Sequence, residues 1–135
     1  LLITLIKWNA IITLATGKPY EIAILSIICA HSLSRFSIIV IPYFSIPASD
    51  EGLARYAGEP ETRGVIGGFL LTSFLIFLLL PFDQAILSAV LAILVAGVVG
   101  LLANFQIKGY TGDILGAAQQ VSEATVLVYL ASSSS

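Results

Sequence analysis

Residues 64–105 read GVIGGFLLTSFLIFLLLPFDQAILSAVLAILVAGVVGLLANF. Two long apolar runs are separated only by Pro81, Phe82 and Asp83. A bilayer core is crossed by about 20 predominantly apolar helical residues, with a range of roughly 17–25. Each run meets that length, and the Pro-Phe-Asp break makes a tight turn between them. The stretch therefore predicts two transmembrane helices joined by that turn.

Three further runs extend the pattern outward. Residues 21–44 form one span, with Pro42 placed to kink or end it. Residues 1–16 form a shorter one, closed by Gly17, Lys18 and Pro19. Residues 114–131 form the last, which is more polar because of Gln119, Gln120, Ser122 and Glu123. The predicted fold class is all-α: a polytopic transmembrane helix bundle of about five spans, 1–16, 21–44, 64–80, 84–105 and 114–131, in one membrane-embedded domain. The 84–105 run carries Ala85, Ala89, Ala92, Ala96, Gly97 and Gly100, and such small residues let helices approach closely in a membrane.

Composition agrees. The 135 residues are 58% hydrophobic and 10% charged, with a mean hydropathy of +1.01. A soluble domain typically carries about 25% charge, so these figures exclude a soluble enzyme domain, a disordered tail and a basic nucleic-acid binder. One Cys (Cys29) and one His (His31) exclude an internal disulfide and a His/Cys zinc cluster. Cys29 is expected to pack as a small hydrophobe. Trp8, Tyr43 and Tyr110 are expected at the membrane interface. The chain starts inside an apolar run with no Met, no basic leader and no cleavage site, which suggests a piece lacking its N-terminal part.

Residues 45–63 hold six of the fourteen charged residues and two prolines, so they form a loop. Residues 106–113 form a second polar loop. Five alternating spans put both loops on one side, with Arg55, Arg63 and Lys108. The other side has Lys18. The positive-inside rule places both loops in the cytoplasm, and Lys7 leans the same way. The expected location is within a membrane, with the active face toward the cytoplasm.

Arg35 stands within an apolar span, where charge is costly and by default functional, unless it lies near enough to the interface to snorkel. His31, Ser34 and Arg35 are spaced i, i+3, i+4 and are expected to share a helix face. A guanidinium's planar donor fork suits a phosphate group, so Arg35 is the first catalytic candidate, with His31 and Ser34 beside it as substrate contacts. Asp113 is the second. It precedes a helical run, where a carboxylate could hold Mg²⁺ together with substrate phosphates, or simply cap the helix. Glu123 lies ten residues further, about 15 Å along a straight helix, too far to share an ion with Asp113. Gln119 or Gln120 are its expected partners. In the first loop, Asp50 and Glu51 could face a metal and Arg55 a phosphate, or all three could be solvated connector residues. No Walker A loop, HExxH, GxSxG or CxxC is present.

The stretch KGYTGDILGAAQQVSE (residues 108–123) resembles the C-terminal signature of the cobalamin synthase family, the adenosylcobinamide-GDP ribazoletransferases. That family carries GGxTGDxLGA, then an acidic residue and a final apolar helix. Gly109, Thr111, Gly112, Asp113, Leu115, Gly116, Ala117 and Glu123 match in order. A second block runs from Ser34-Arg35 to Asp50-Glu51-Gly52-Leu53, where the family has an Arg-bearing helix and then Ala-Arg-x-x-Gly-Leu. Ser49 stands in place of that second Arg, and Lys108 in place of the first Gly.

The resemblance implies a membrane transferase that joins α-ribazole, or its 5′-phosphate, to adenosylcobinamide-GDP and releases GMP, with Mg²⁺ as cofactor. Arg35 would stabilise charge and Asp113 would be a metal or substrate-positioning ligand. Thr111, Gly112 and Glu123 would join His31, Ser34, Asp50, Glu51 and Arg55 in binding substrate. The partners implied are the two substrates and the lipid bilayer, without nucleic acid; a homo-oligomer is left open. The family's acidic, Asp-rich motif lies upstream of the residues present here, so the chain resembles a C-terminal half that would be inactive alone.

Three other readings stay in view, one of them a purely structural membrane subunit, which composition alone does not exclude. A transporter or channel segment would line a through-going polar path with Arg35 and Glu123. A different membrane phosphotransferase would carry an Asp-dense motif absent from these residues. A cytoplasm-facing cleft joining Arg35 and Asp113 distinguishes the transferase.

Overall fold

The computed structural model describes residues 1–44 and 61–133. Those residues fold into helices α1 (Leu2–Gly17), α2 (Tyr20–Phe44), α3 (Thr62–Leu79), α4 (Phe82–Ile107) and α5 (Gly112–Ser132). The last four are long and apolar enough to cross a membrane, while α1 has 16 residues. The expected starts at residues 64, 84 and 114 move outward to Thr62, Phe82 and Gly112.

The two tight turns share one device. Lys18 precedes Pro19 and Leu80 precedes Pro81, and the residue before a proline is pushed away from helical backbone. Both are extended, at φ −133°, ψ 158° and φ −116°, ψ 152°. Each still closes the preceding helix with its own N–H, to the carbonyls of Leu14 and Ile76. Pro81 itself caps α4, so Phe82 and Asp83 belong to the helix rather than to the turn. Pro42 does not stop α2, which continues to Phe44.

α5 is the central helix and packs on α1, α2 and α4. Its register is fixed at both ends. Lys18 Nζ, just past α1, donates to the Ser133 carbonyl at 2.6 Å. At the opposite end Ile41 of α2 packs with Tyr110 and Ala118, flanked by Val99 and Leu115. Thus α1 runs parallel to α5, while α2 and α4 run antiparallel to it. Tyr110 is buried in that cluster rather than displayed at an interface.

Lipid tails are as apolar as Leu, so close packing rather than the hydrophobic effect joins membrane helices. Accordingly α4 turns Ala85, Ser88, Ala92, Ala96 and Ala103 inward. Cys29 is fully buried within the main core, as a small hydrophobe would be. α3 lies outermost against α2, with Ile76 its one buried residue. The ends of α2 and α4 and the start of α5 therefore meet at one end of the bundle.

Candidate functional site

Glu123 is 8% exposed, on the inner face of α5. Carboxylates are almost never buried unless paired, and the partners come from other helices. Lys7 Nζ of α1 sits 2.9 Å from Glu123 Oε1 and donates to Gln120 Oε1 at 3.1 Å. His31 Nδ1 of α2 faces Glu123 Oε2 at 3.8 Å. One turn along α2, Arg35 Nε donates to His31 Nε2 at 3.4 Å. Lys7, Glu123, His31 and Arg35 thus form one polar chain across three helices. The expected pairing of Glu123 with Gln119 or Gln120 is replaced: Gln120 instead helps hold Lys7.

Lys7 is the residue that sequence reasoning missed. It reads there as a charge near a membrane face, yet it lies level with Glu123, well inside the bundle. The signal was present in two opposite charges in separate apolar runs, each needing a partner in lipid.

Ser34 does not join this chain. Its side chain is fully buried and its hydroxyl donates to the His31 carbonyl at 2.8 Å. A helix turns about 100° per residue, so Ser34 and Arg35 diverge on either side of His31, one inward and one outward.

Arg35 makes no ion pair among the described residues, and neither does Asp113. Both are exposed. With His31 and Glu123 facing each other, Arg35 lies about 6 Å toward the start of α5 and Asp113 about 15 Å, leaving an axial offset of about 9 Å. Both groups therefore lie on the same side of the His31–Glu123 contact, toward the same end of the bundle.

The start of α5 is capped by Thr111, whose hydroxyl accepts from the Ile114 N–H at 3.4 Å. Asp113 is not the cap; it sits one position inside the first turn, where a carboxylate favours the helix dipole. A Cβ at Gly112 or Gly116 would meet nothing within 4 Å, so the helix face beside Asp113 is open. Gly112 is helical and serves no tight backbone approach. Four residues earlier, just past the end of α4, Lys108 adopts left-handed backbone at φ 56°. That is a conformation glycine accepts without steric cost.

No group of three or more His, Cys, Asp or Glu among the described residues could hold a metal ion. Asp113 offers a single carboxylate. Asp50, Glu51 and Arg55 lie outside the described residues. Beyond Glu123, the buried positions of α5 are Ala124, Val126, Leu127 and Leu130. Buried polar residues in this half of the bundle also come from α2 and α4, at Ser26, Gln84 and Ser88.

Residues 1–131 match the family described as cobalamin-5-phosphate synthase. The chain is similar to the adenosylcobinamide-GDP ribazoletransferase of Bradyrhizobium diazoefficiens, 31% identical over 126 residues, 93% of this chain and 47% of that protein. It is 35% identical over 124 residues to the protein of that name from Mesorhizobium japonicum, covering 92% of this chain and 46% of the relative. A third, from Shewanella pealeana, is 35% identical over 129 residues, covering 93% and 49%. The chain spans about half the length of the curated relatives it matches. No solved structure matches.

Proposed function

The chain belongs to the cobalamin-5-phosphate synthase family, and on that premise we propose that it carries part of the active site of a membrane transferase. The reaction joins α-ribazole, or its 5′-phosphate, to adenosylcobinamide-GDP and releases GMP. A ribose hydroxyl oxygen attacks the phosphorus that bears cobinamide, the bond from that phosphorus to the GMP oxygen breaks, and the hydroxyl proton is lost.

The observation that carries this reading is Arg35: a guanidinium in a membrane bundle, exposed and without a carboxylate partner among the described residues. Attack on a diphosphate is helped by positioned donors that meet the developing negative charge. Arg35 supplies a planar fork of them. Gly112 and Asp113, in the first turn of α5, have backbone N–H groups without intrahelical partners, which suit an anion. The axial offset between Arg35 and this turn is one that a nucleoside diphosphate can bridge. Thr111 shapes the turn as its cap, and Glu123 acts through His31 rather than on substrate.

Mg²⁺ belongs to the proposal. It is commonly bound through one or two carboxylates plus substrate phosphates, and the exposed, unpaired carboxylate of Asp113 fits one such ligand. When bound, the ion would neutralise charge on the diphosphate. Asp50, Glu51 and Arg55 are proposed to approach the same nucleotide from residues 45–60. The face with Arg63 and Lys108 is proposed as cytoplasmic in the inner membrane. Lys7 no longer contributes to that bias, because its charge is used inside the bundle.

The test uses the full-length protein that carries this sequence, in membranes, supplied with adenosylcobinamide-GDP and α-ribazole. Release of GMP with formation of the joined product is expected. Asp113→Asn should lower turnover at least tenfold, about 1.4 kcal/mol on the barrier, without loss of folding. Near-normal turnover would leave Asp113 a first-turn helix charge and nothing more.

A further inference from the structure

Four side chains contributed by three helices satisfy one another in only one arrangement of protons. Arg35 Nε carries a hydrogen and cannot accept, so at 3.4 Å His31 Nε2 must be the acceptor. A neutral imidazole has one N–H, which then sits on Nδ1. That nitrogen faces Glu123 Oε2 at 3.8 Å, beyond hydrogen-bond length but within reach of the carboxylate's charge. The other oxygen, Oε1, is held by Lys7 Nζ at 2.9 Å, and Gln120 Oε1 takes a second Lys7 proton at 3.1 Å. The chain ends on a guanidinium whose four Nη hydrogens have no partner among the described residues.

We propose that Lys7 and Glu123 are positioning residues: their ion pair sets the tautomer and tilt of the His31 ring, and His31 Nε2 then fixes Arg35 through its Nε–H, so that the Nη donors face the anionic substrate. This rests on the reading of Arg35 as the group that meets the diphosphate. Burial divides the four residues accordingly. Glu123 and Lys7 have side chains 11% and 19% exposed, His31 is 51% exposed, and Arg35 is exposed beyond it. The chain thus runs from the packed interior to the open surface. Arg35 is long and flexible, and an exposed arginine left to itself samples many rotamers. Anchoring its Nε lessens the ordering needed when substrate binds. Arg differs from Lys in having that Nε–H, so the arrangement also gives a reason for Arg at this position.

A purely structural staple would involve the same contacts, and the experiment must separate the two. In the full-length protein, Lys7→Met combined with Glu123→Gln removes both charges at once and leaves no stranded ion. Melting in detergent and GMP release are measured together, alone and with Arg35→Lys. The double variant is expected to fold with near-normal melting, yet to show kcat/KM for adenosylcobinamide-GDP lowered about tenfold. In the Arg35→Lys background, which has no Nε–H to hold, the same pair of changes should cost less than twofold. Lys7→Arg, which keeps the donor to Glu123, should restore most of the activity. Normal kcat/KM in the folded double variant, or an equal loss in both backgrounds, overturns the positioning role while leaving the transferase reading in place. Arg35→Lys with unchanged kcat/KM overturns both.

Discussion

Replacing Lys7 by Met strands the Glu123 carboxylate inside the bundle. The ion pair is short, at 2.9 Å, with side chains 19% and 11% exposed. Removing one partner of a fully buried pair costs about 3–5 kcal/mol, because the remaining charge has lost its compensation. Here the pair is not fully sealed and His31 remains near the second oxygen, so about 2 kcal/mol is expected for Lys7→Met, below the cost of a fully buried pair. Glu123→Gln leaves Lys7 with two amide acceptors in place of an amide and a carboxylate, and about 1 kcal/mol is expected, the scale of one weakened hydrogen bond. The double variant should recover to within about 1 kcal/mol of the parent, since exchanging both members of a buried pair is often neutral. The three changes are therefore strongly non-additive. The assay is unfolding of the purified protein in mixed detergent micelles, followed by loss of helical circular dichroism. Additive losses in the double variant, or a Lys7→Met protein as stable as the parent, would refute the pair as the tie between α1 and α5.

Lys108→Gly should stabilise the protein by about 0.5–1 kcal/mol, because the left-handed backbone at this position penalises a side chain more than glycine's extra chain entropy costs; the same unfolding assay reads it, and a destabilised glycine variant would contradict the φ of 56°. Thr111→Ala should cost about 0.5–1 kcal/mol, the low end for a lost helix cap, given a bond as long as 3.4 Å; unchanged stability would show that the hydroxyl does not cap α5. Residues 1–135 expressed alone should release no GMP from adenosylcobinamide-GDP and α-ribazole, and measurable turnover would show that these residues suffice.

Much of the architecture was legible from apolar length and proline alone. The α3–α4 hairpin follows from two runs around Pro81, and the α1–α2 turn follows from Pro19 in the same way. Helix ends were less legible. Phe82 and Asp83 read as turn residues, yet Pro81 presets the backbone and the helix starts directly after it. Asp113 read as either a metal ligand or the cap, whereas Thr111, two residues earlier, provides the capping hydroxyl. The polar chain was only half visible. Arg35 and His31 stand four residues apart on one helix, a spacing that sequence shows directly. Lys7 and Glu123 are 116 positions apart, and only the packing of α1 beside α5 brings them together. Ser34 was placed with His31 and Arg35 because i+3 and i+4 both neighbour i. Spacing does not say which of the two turns inward.

The central claim is that the end of the bundle bearing Arg35 and the first turn of α5 grips the diphosphate of a nucleotide-linked substrate. The most direct measurement is an experimental structure of the full-length protein in lipid nanodiscs with adenosylcobinamide-GDP bound. The account predicts a phosphate oxygen within about 3.2 Å of an Arg35 Nη atom, with Asp113 on the same side of the diphosphate. A diphosphate bound elsewhere, with Arg35 turned into lipid and no shared cavity with Asp113, would contradict it.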